Sequence, residues 1–174
     1  MFNIFKYIKE VGVCITAALL ITLVLIKFFF QISEVEGVSM MPTLNNKDRI
    51  VVDKISVNFA EPKRGDVVII KYPADTRVKY VKRIAAIAGD RVKIEDNKFY
   101  LNGRSQEETY IKDKYIKGYL SEVVVPDNTI FVLGDNRNES IDSRFNDVGF
   151  VNKKLIVGKA ILKIYPLDKF ERIR

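Results

Sequence analysis

The run Val78-Lys79-Tyr80-Val81-Lys82-Arg83-Ile84-Ala85-Ala86-Ile87, closed by Ala88-Gly89-Asp90, decides the fold class. It alternates as a β-strand does, and the Gly-Asp pair turns the chain at its end. On its N-terminal side, residues 49–53 (RIVVD) and 66–72 (DVVIIKY) are rich in β-branched side chains, and Pro62-Lys63-Arg64-Gly65 punctuates the gap. On its C-terminal side, residues 91–95 and 98–101 flank Asp96-Asn97 and read as a β-hairpin, with Asn102-Gly103 as the next turn. Pro126-Asp127-Asn128 turns the chain before a strand at 129–133. Residues 134–149 form a loop rich in Gly, Asp and Asn, and 155–165 is a last strand or pair. Residues 104–124 are polar and tyrosine-containing with weak periodicity, and no element is assigned there. With no long amphipathic helix, repeat or low-complexity segment, the chain after residue 30 reads as a mostly antiparallel β-domain.

A different pattern precedes that domain. Residues 1–10 are a short head carrying Lys6 and Lys9; residues 11–30 are apolar or small apart from Lys27, and end in Phe28-Phe29-Phe30. That is about the 20 residues needed to span a bilayer, with the Lys27 stem able to carry its amine to the headgroups. Residues 31–46 contain no Lys or Arg, so the positive-inside rule places the head in the cytoplasm and residues 31–174 outside it. A cleaved signal peptide or a buried core helix are the rival readings. The run is long for the first and apolar on all faces, against the second.

Composition removes several chemistries. The 174 residues include no His, which excludes a Ser-His-Asp triad and His-ligated zinc. The single Cys, Cys14, lies in the apolar run, so neither an intramolecular disulfide nor a thiolate metal site is expected. A net charge of +7 suits anionic lipid or an acidic envelope, but no basic stripe with interleaved aromatics points to nucleic acid.

Three clusters could carry chemistry. In Gly37-Val38-Ser39-Met40-Met41-Pro42-Thr43 a serine sits between a free-turning Gly and a Pro that fixes φ and removes a donor. It reads either as a nucleophile held on a turn beside the membrane or as an inert linker residue. Without His, its base must be Lys, Asp, Glu or Tyr. A lysine serves only when neutral, and so only when desolvated. Lys82 stands out because Tyr80, Lys82 and Ile84 share one strand face, placing the amine between a ring and an aliphatic chain. A solvated strand face is the alternative. The third cluster, Gly134-Asp135-Asn136-Arg137-Asn138-Glu139-Ser140-Ile141-Asp142-Ser143-Arg144, reads as a hydrogen-bonded buttress, a calcium loop or a plain surface loop. Its acidic spacing does not match an EF-hand, and two arginines oppose a cation.

Together the clusters resemble the type I signal peptidases, membrane-anchored serine-lysine proteases. The family's Ser-Met-x-Pro-Thr pattern is present at 39–43, Arg-Gly-Asp-Val-Val at 64–68, Tyr-Val-Lys-Arg at 80–83 with Gly89-Asp90, and Gly-Asp-Asn-Arg-x-x-Ser-x-Asp-Ser-Arg at 134–144. The resemblance runs from the apolar segment to residue 159, most like the compact single-anchor Gram-positive type. It implies an antiparallel β-sheet catalytic domain of the signal-peptidase and SOS-repressor protease type after one N-terminal transmembrane helix. It further implies that Ser39 is the nucleophile, its main-chain amide an oxyanion donor, and Lys82 the general base. Ser140 would hydrogen-bond and orient the lysine, with Arg83, Asp135, Asp142 and Arg144 as ion-paired support. Gly37 stands where many members carry a serine of the oxyanion hole, Ala86 and Ala88 replace a commoner Gly and Pro, and the stretch from Arg144 to Gly149 is longer than usual.

The expected activity is cleavage of signal peptides from exported preproteins at the cell membrane. Membrane lipid and a nearby export translocon would be its partners, with neither a metal nor any other cofactor. A non-catalytic anchored β-domain that binds anionic envelope components is the alternative. A self-cleaving protease like the SOS repressors is opposed by the membrane segment and by the lack of a DNA-binding head.

Overall fold

A computed structural model describes residues 4–173, apart from the side chains of Ile26 and Lys27. Residues 1–3 of the expected head, and the expected reach of Lys27 to the headgroups, lie outside what is described. Helix α1 (Ile4–Phe29) runs without a break through the expected head and apolar run. Its Ile4–Leu25 stretch has a mean hydropathy of 2.1 and none of it is buried within the chain, so it is long and apolar enough to cross a bilayer. The chain passes from α1 into strand β1 (Phe30–Glu34) at Phe30, the last residue of the expected anchor.

Strands β2 (Arg49–Asp53), β3 (Val67–Tyr72), β4 (Asp75–Ile87), β9 (Thr129–Leu133), β10 (Val151–Asn152) and β11 (Ile156–Tyr165) join β1 in one sheet, ordered β1-β2-β11-β3-β4-β9-β10. All its pairings are antiparallel, and β12 (Glu171–Arg172) adds to β11. A second sheet holds β5 (Arg91–Glu95), β6 (Lys98–Leu101), β7 (Arg104–Ser105) and β8 (Leu120–Val124) in the order β7-β6-β5-β8. The β5–β6 hairpin turns through Asp96 and Asn97 at φ 50° and 60°. Those left-handed values suit Asp and Asn, and they match the tight turn read from the sequence.

Val67 to Ile70 are all buried because β3 lies mid-sheet and is covered on both faces. Val67 and Ile69 pack with Met40, Leu44 and Ile50 on one face. On the other, Val68 and Ile70 pack with Ile84, Ile130 and Val132. A third cluster, around Val92, Phe99 and Phe131, joins the small sheet to the large one. At the junction Asp90 accepts from Arg64 Nε at 2.7 Å, the Ile87 amide at 2.9 Å and Asn102 Nδ2 at 2.9 Å. Arg64 and Asp90, each in a motif of its own, thus pin the turn where β4 hands over to β5.

Candidate active site

Ser39 lies in the loop between β1 and β2. Met40 and Leu44 (1% and 0% exposed) peg this loop into the core while Ser39 stays half-exposed. Gly37, at φ 92°, takes the left-handed turn that opens the loop, and its amide donates to Asn46 Oδ1 at 3.0 Å.

Lys82 reaches this serine from β4. Its Nζ is 2.7 Å from Ser39 Oγ, and the residue is 3% exposed. Tyr80, two residues away on the same face, has its ring centroid 5.2 Å from the amine. Burial pushes the amine down from 10.5 to about 8; Asp142 and Asp135 oppose the drop, and Arg144 adds to it. A lysine so placed is neutral often enough to accept the serine proton, which an ordinary solvated lysine is not.

Arg83, the next residue, points to the opposite side of the strand and meets Asp135 through two bonds, Nε to Oδ1 at 2.8 Å and Nη2 to Oδ2 at 2.7 Å. Both partners are almost wholly buried. Arg83 Nη1 donates to Gly65 O at 2.8 Å, its guanidinium stacks 4.0 Å from the Tyr110 ring centroid, and Thr43 Oγ1 donates to Asp135 Oδ2. Asp142 accepts from Arg144 Nε at 2.7 Å and from the Gly134 amide at 3.0 Å, while Arg144 also donates to the Arg137 carbonyl. A Cβ at Gly134 would collide with Ser140 Oγ and the Ser39 carbonyl, so glycine there lets the two loops close on each other.

Ser140 does not make the bond that the resemblance implied. It is 6% exposed, and its Oγ has no hydrogen-bond partner among the described residues. The hydroxyl is packed over Gly134, where no side chain intervenes. Sequence reasoning also gave no role to Thr43, Asn136, Tyr110 or Glu108. Thr43 and Asn136 sit inside quoted motifs and could have been singled out. Tyr110, and Glu108, which pairs with buried Arg137, lie in the segment that had no local pattern.

A groove of about 590 Å³ opens beside the serine, lined by β1 residues such as Ile32 and Glu34, by Val78 and Tyr80 of β4, and by Ser39 and Lys82. Among the described residues, strand β1 pairs only with β2, and β4 pairs only with β3 before Arg83. Two strands with unpaired edges therefore line the same groove.

Comparison with known proteins identifies the family. The family model described as signal peptidase, peptidase S26, matches residues 8–165. Signal peptidase I of Bacillus licheniformis is 34% identical over 98% of this chain and 93% of that protein. Signal peptidase I S of Bacillus subtilis strain 168 is 34% identical over 96% of this chain and 94% of its own. A crystal structure of a signal peptidase I from Enterococcus faecalis superposes with a TM-score of 0.50 at 28% identity, covering 57% of this chain and 97% of that one. The antiparallel β fold expected of that family is the one observed, and the chain belongs to the signal peptidase family, peptidase S26.

Proposed function

We propose that this chain is a membrane-anchored endopeptidase that removes signal peptides from exported preproteins through a Ser39–Lys82 dyad. The observation that carries this reading is the 2.7 Å approach of a buried lysine to a half-exposed serine at a groove between two unpaired strand edges. An extended peptide can hydrogen-bond to such edges as an added strand, which brings its scissile carbonyl to Ser39. Ser39 Oγ bonds to that carbonyl carbon as its proton passes to Lys82 Nζ. The C–N bond then breaks and the same proton goes to the leaving amine. Water repeats the sequence in reverse and frees the acyl chain, with Lys82 again taking and returning the proton. The Ser39 N–H, which has no acceptor among the described residues, is available to the oxyanion. Arg83, Asp135, Asp142 and Arg144 hold the two loops and β4 in register around the dyad. Small residues before the cut suit a shallow groove.

In this reading α1 is the anchor, residues 1–10 face the cytoplasm and residues 31–174 form the extracytoplasmic peptidase domain. The short helix α2 (Ser56–Phe59) supports a lipid contact at the outer end of α1. The Lys54 amide donates to Phe29 O at 3.0 Å, and Phe59 is 86% exposed on this segment.

The test is cleavage of a purified preprotein in detergent by the wild type, Ser39→Ala and Lys82→Met proteins. Both variants are expected to lose at least about 10³-fold in kcat, and the wild-type cut should follow a small-x-small sequence. Equal cleavage by all three would remove the dyad. Failure of the wild type on a range of preproteins would favour an anchored domain that binds anionic envelope components.

A further inference from the structure

One wholly buried residue holds the peptide groups on both sides of Ser39. Asn136 is 0% exposed; its Nδ2 donates to the Val38 carbonyl at 3.1 Å, and its own amide donates to the Ser39 carbonyl at 3.0 Å. A carbonyl can only accept, so the side-chain orientation is fixed chemically. The Val38 carbonyl and the Ser39 N–H belong to one planar, trans peptide unit and point in opposite directions. Whatever fixes that carbonyl therefore aims that N–H. The Met41 amide also donates to the Val38 carbonyl at 3.1 Å, so two donors hold the unit from its carbonyl side. Donation to the carbonyl also polarises the unit and makes the N–H a stronger donor.

The other half of the Asn136 amide is informative. Its Oδ1 is buried with no hydrogen-bond partner among the described residues. An apolar side chain of similar volume would avoid that desolvation cost, so the amide is retained here for what its donor does.

We infer that Asn136 is the positioning residue of the oxyanion site, aiming and polarising the Ser39 N–H toward the oxygen that becomes negative during acyl transfer. This rests on Ser39 being the nucleophile. Asn136 makes no hydrogen bond to Ser39 Oγ or Lys82 Nζ. The role is consequently separable from that of the base.

Full-length Asn136→Ala and Asn136→Asp proteins in detergent test it, with Ser39→Ala assayed alongside. Cleavage kinetics are compared with binding of a substrate-length peptide aldehyde and of the corresponding peptide alcohol. The aldehyde adds Ser39 Oγ to its carbonyl carbon, with the serine proton ending on the new hemiacetal oxygen in the oxyanion position; the alcohol forms no adduct. The expected result is a fall in kcat of about 10- to 100-fold with KM unchanged and an unshifted pH inflection. Aldehyde affinity should fall by the same factor while the alcohol binds as before. Unchanged kcat, equal losses for aldehyde and alcohol, or loss of the folded state in both variants would each overturn the assignment. Cleavage by Ser39→Ala would instead overturn the reading of the nucleophile on which it rests.

Discussion

An amine pushed from 10.5 to about 8 by burial is neutral in roughly one molecule in ten at pH 7. If Lys82 is the base, log kcat/KM should rise with unit slope below about pH 8 and level off above it, as a pH–rate profile on a preprotein would show. The same burial has a thermodynamic sign. Between pH 8 and 10.5 the unfolded chain binds a proton at Lys82 that the folded chain does not, so stability rises with pH across that window. Below pH 8 the folded protein carries the whole penalty, on the order of 3 kcal/mol from the size of the shift. Lys82→Met should therefore be inactive yet more stable at pH 6–7, with the advantage shrinking towards pH 10.5. Urea unfolding of both proteins in one detergent at pH 6, 8 and 10 measures this. A variant less stable at every pH would show that the Ser39–Lys82 contact outweighs the desolvation.

At the scale of elements, β4 is divided by pairing, and in the proposed function by role as well. Its first part pairs among the described residues with β3 alone, the edge that the proposed function gives to a peptide, and its last part, from Arg83 on, pairs with β9. Lys82 stands where one part gives way to the other, with Arg83 at the change of partner. Helix α2 is the second telling element. It buries none of its residues and leaves Phe59 exposed, a few residues after Lys54, whose amide donates to Phe29 O at the end of α1. If α1 is the proposed anchor, an exposed aromatic ring close in sequence to its outer end would gain from the membrane interface what it lacks inside the protein. The chain contains no Trp, so Phe59→Trp provides a single tryptophan that can be excited selectively at the red edge. In lipid nanodiscs its emission should be blue-shifted and quenched by brominated lipid; a water-like, unquenched spectrum would place α2 away from the bilayer.

At the scale of the whole molecule, the Arg83–Asp135–Thr43 clamp joins β4, the loop after β9 and the loop that carries Ser39. These segments lie 40 to 92 residues apart in sequence. Such a buried pair depends on both partners, because removing one leaves the other charge without its counterion in a low dielectric. Asp135→Asn should cost about 3–5 kcal/mol of stability, read as a lower urea midpoint, along with cleavage activity. A midpoint close to wild type would show that the Gly65 carbonyl and Thr43 are enough to hold Arg83.

Local pattern determined much of this protein. Alternation, β-branched runs and turn residues located residues 49–53, the 91–101 hairpin and 129–133, because strand period and left-handed turns are written in adjacent residues. The apolar run and the lack of histidine likewise follow from the chain itself. Tertiary structure decided what depends on distant partners. Lys82 can read as a solvated strand lysine until the fold buries it against a serine 43 residues away. Residues 104–124 have little period because their key side chains serve remote charges, Tyr110 facing Arg83 and Glu108 facing Arg137. Ser140 was placed in the right loop by its motif, but its hydroxyl lies over Gly134 without a bond to the amine. A motif supplies residue types in order; only packing sets the distances between them.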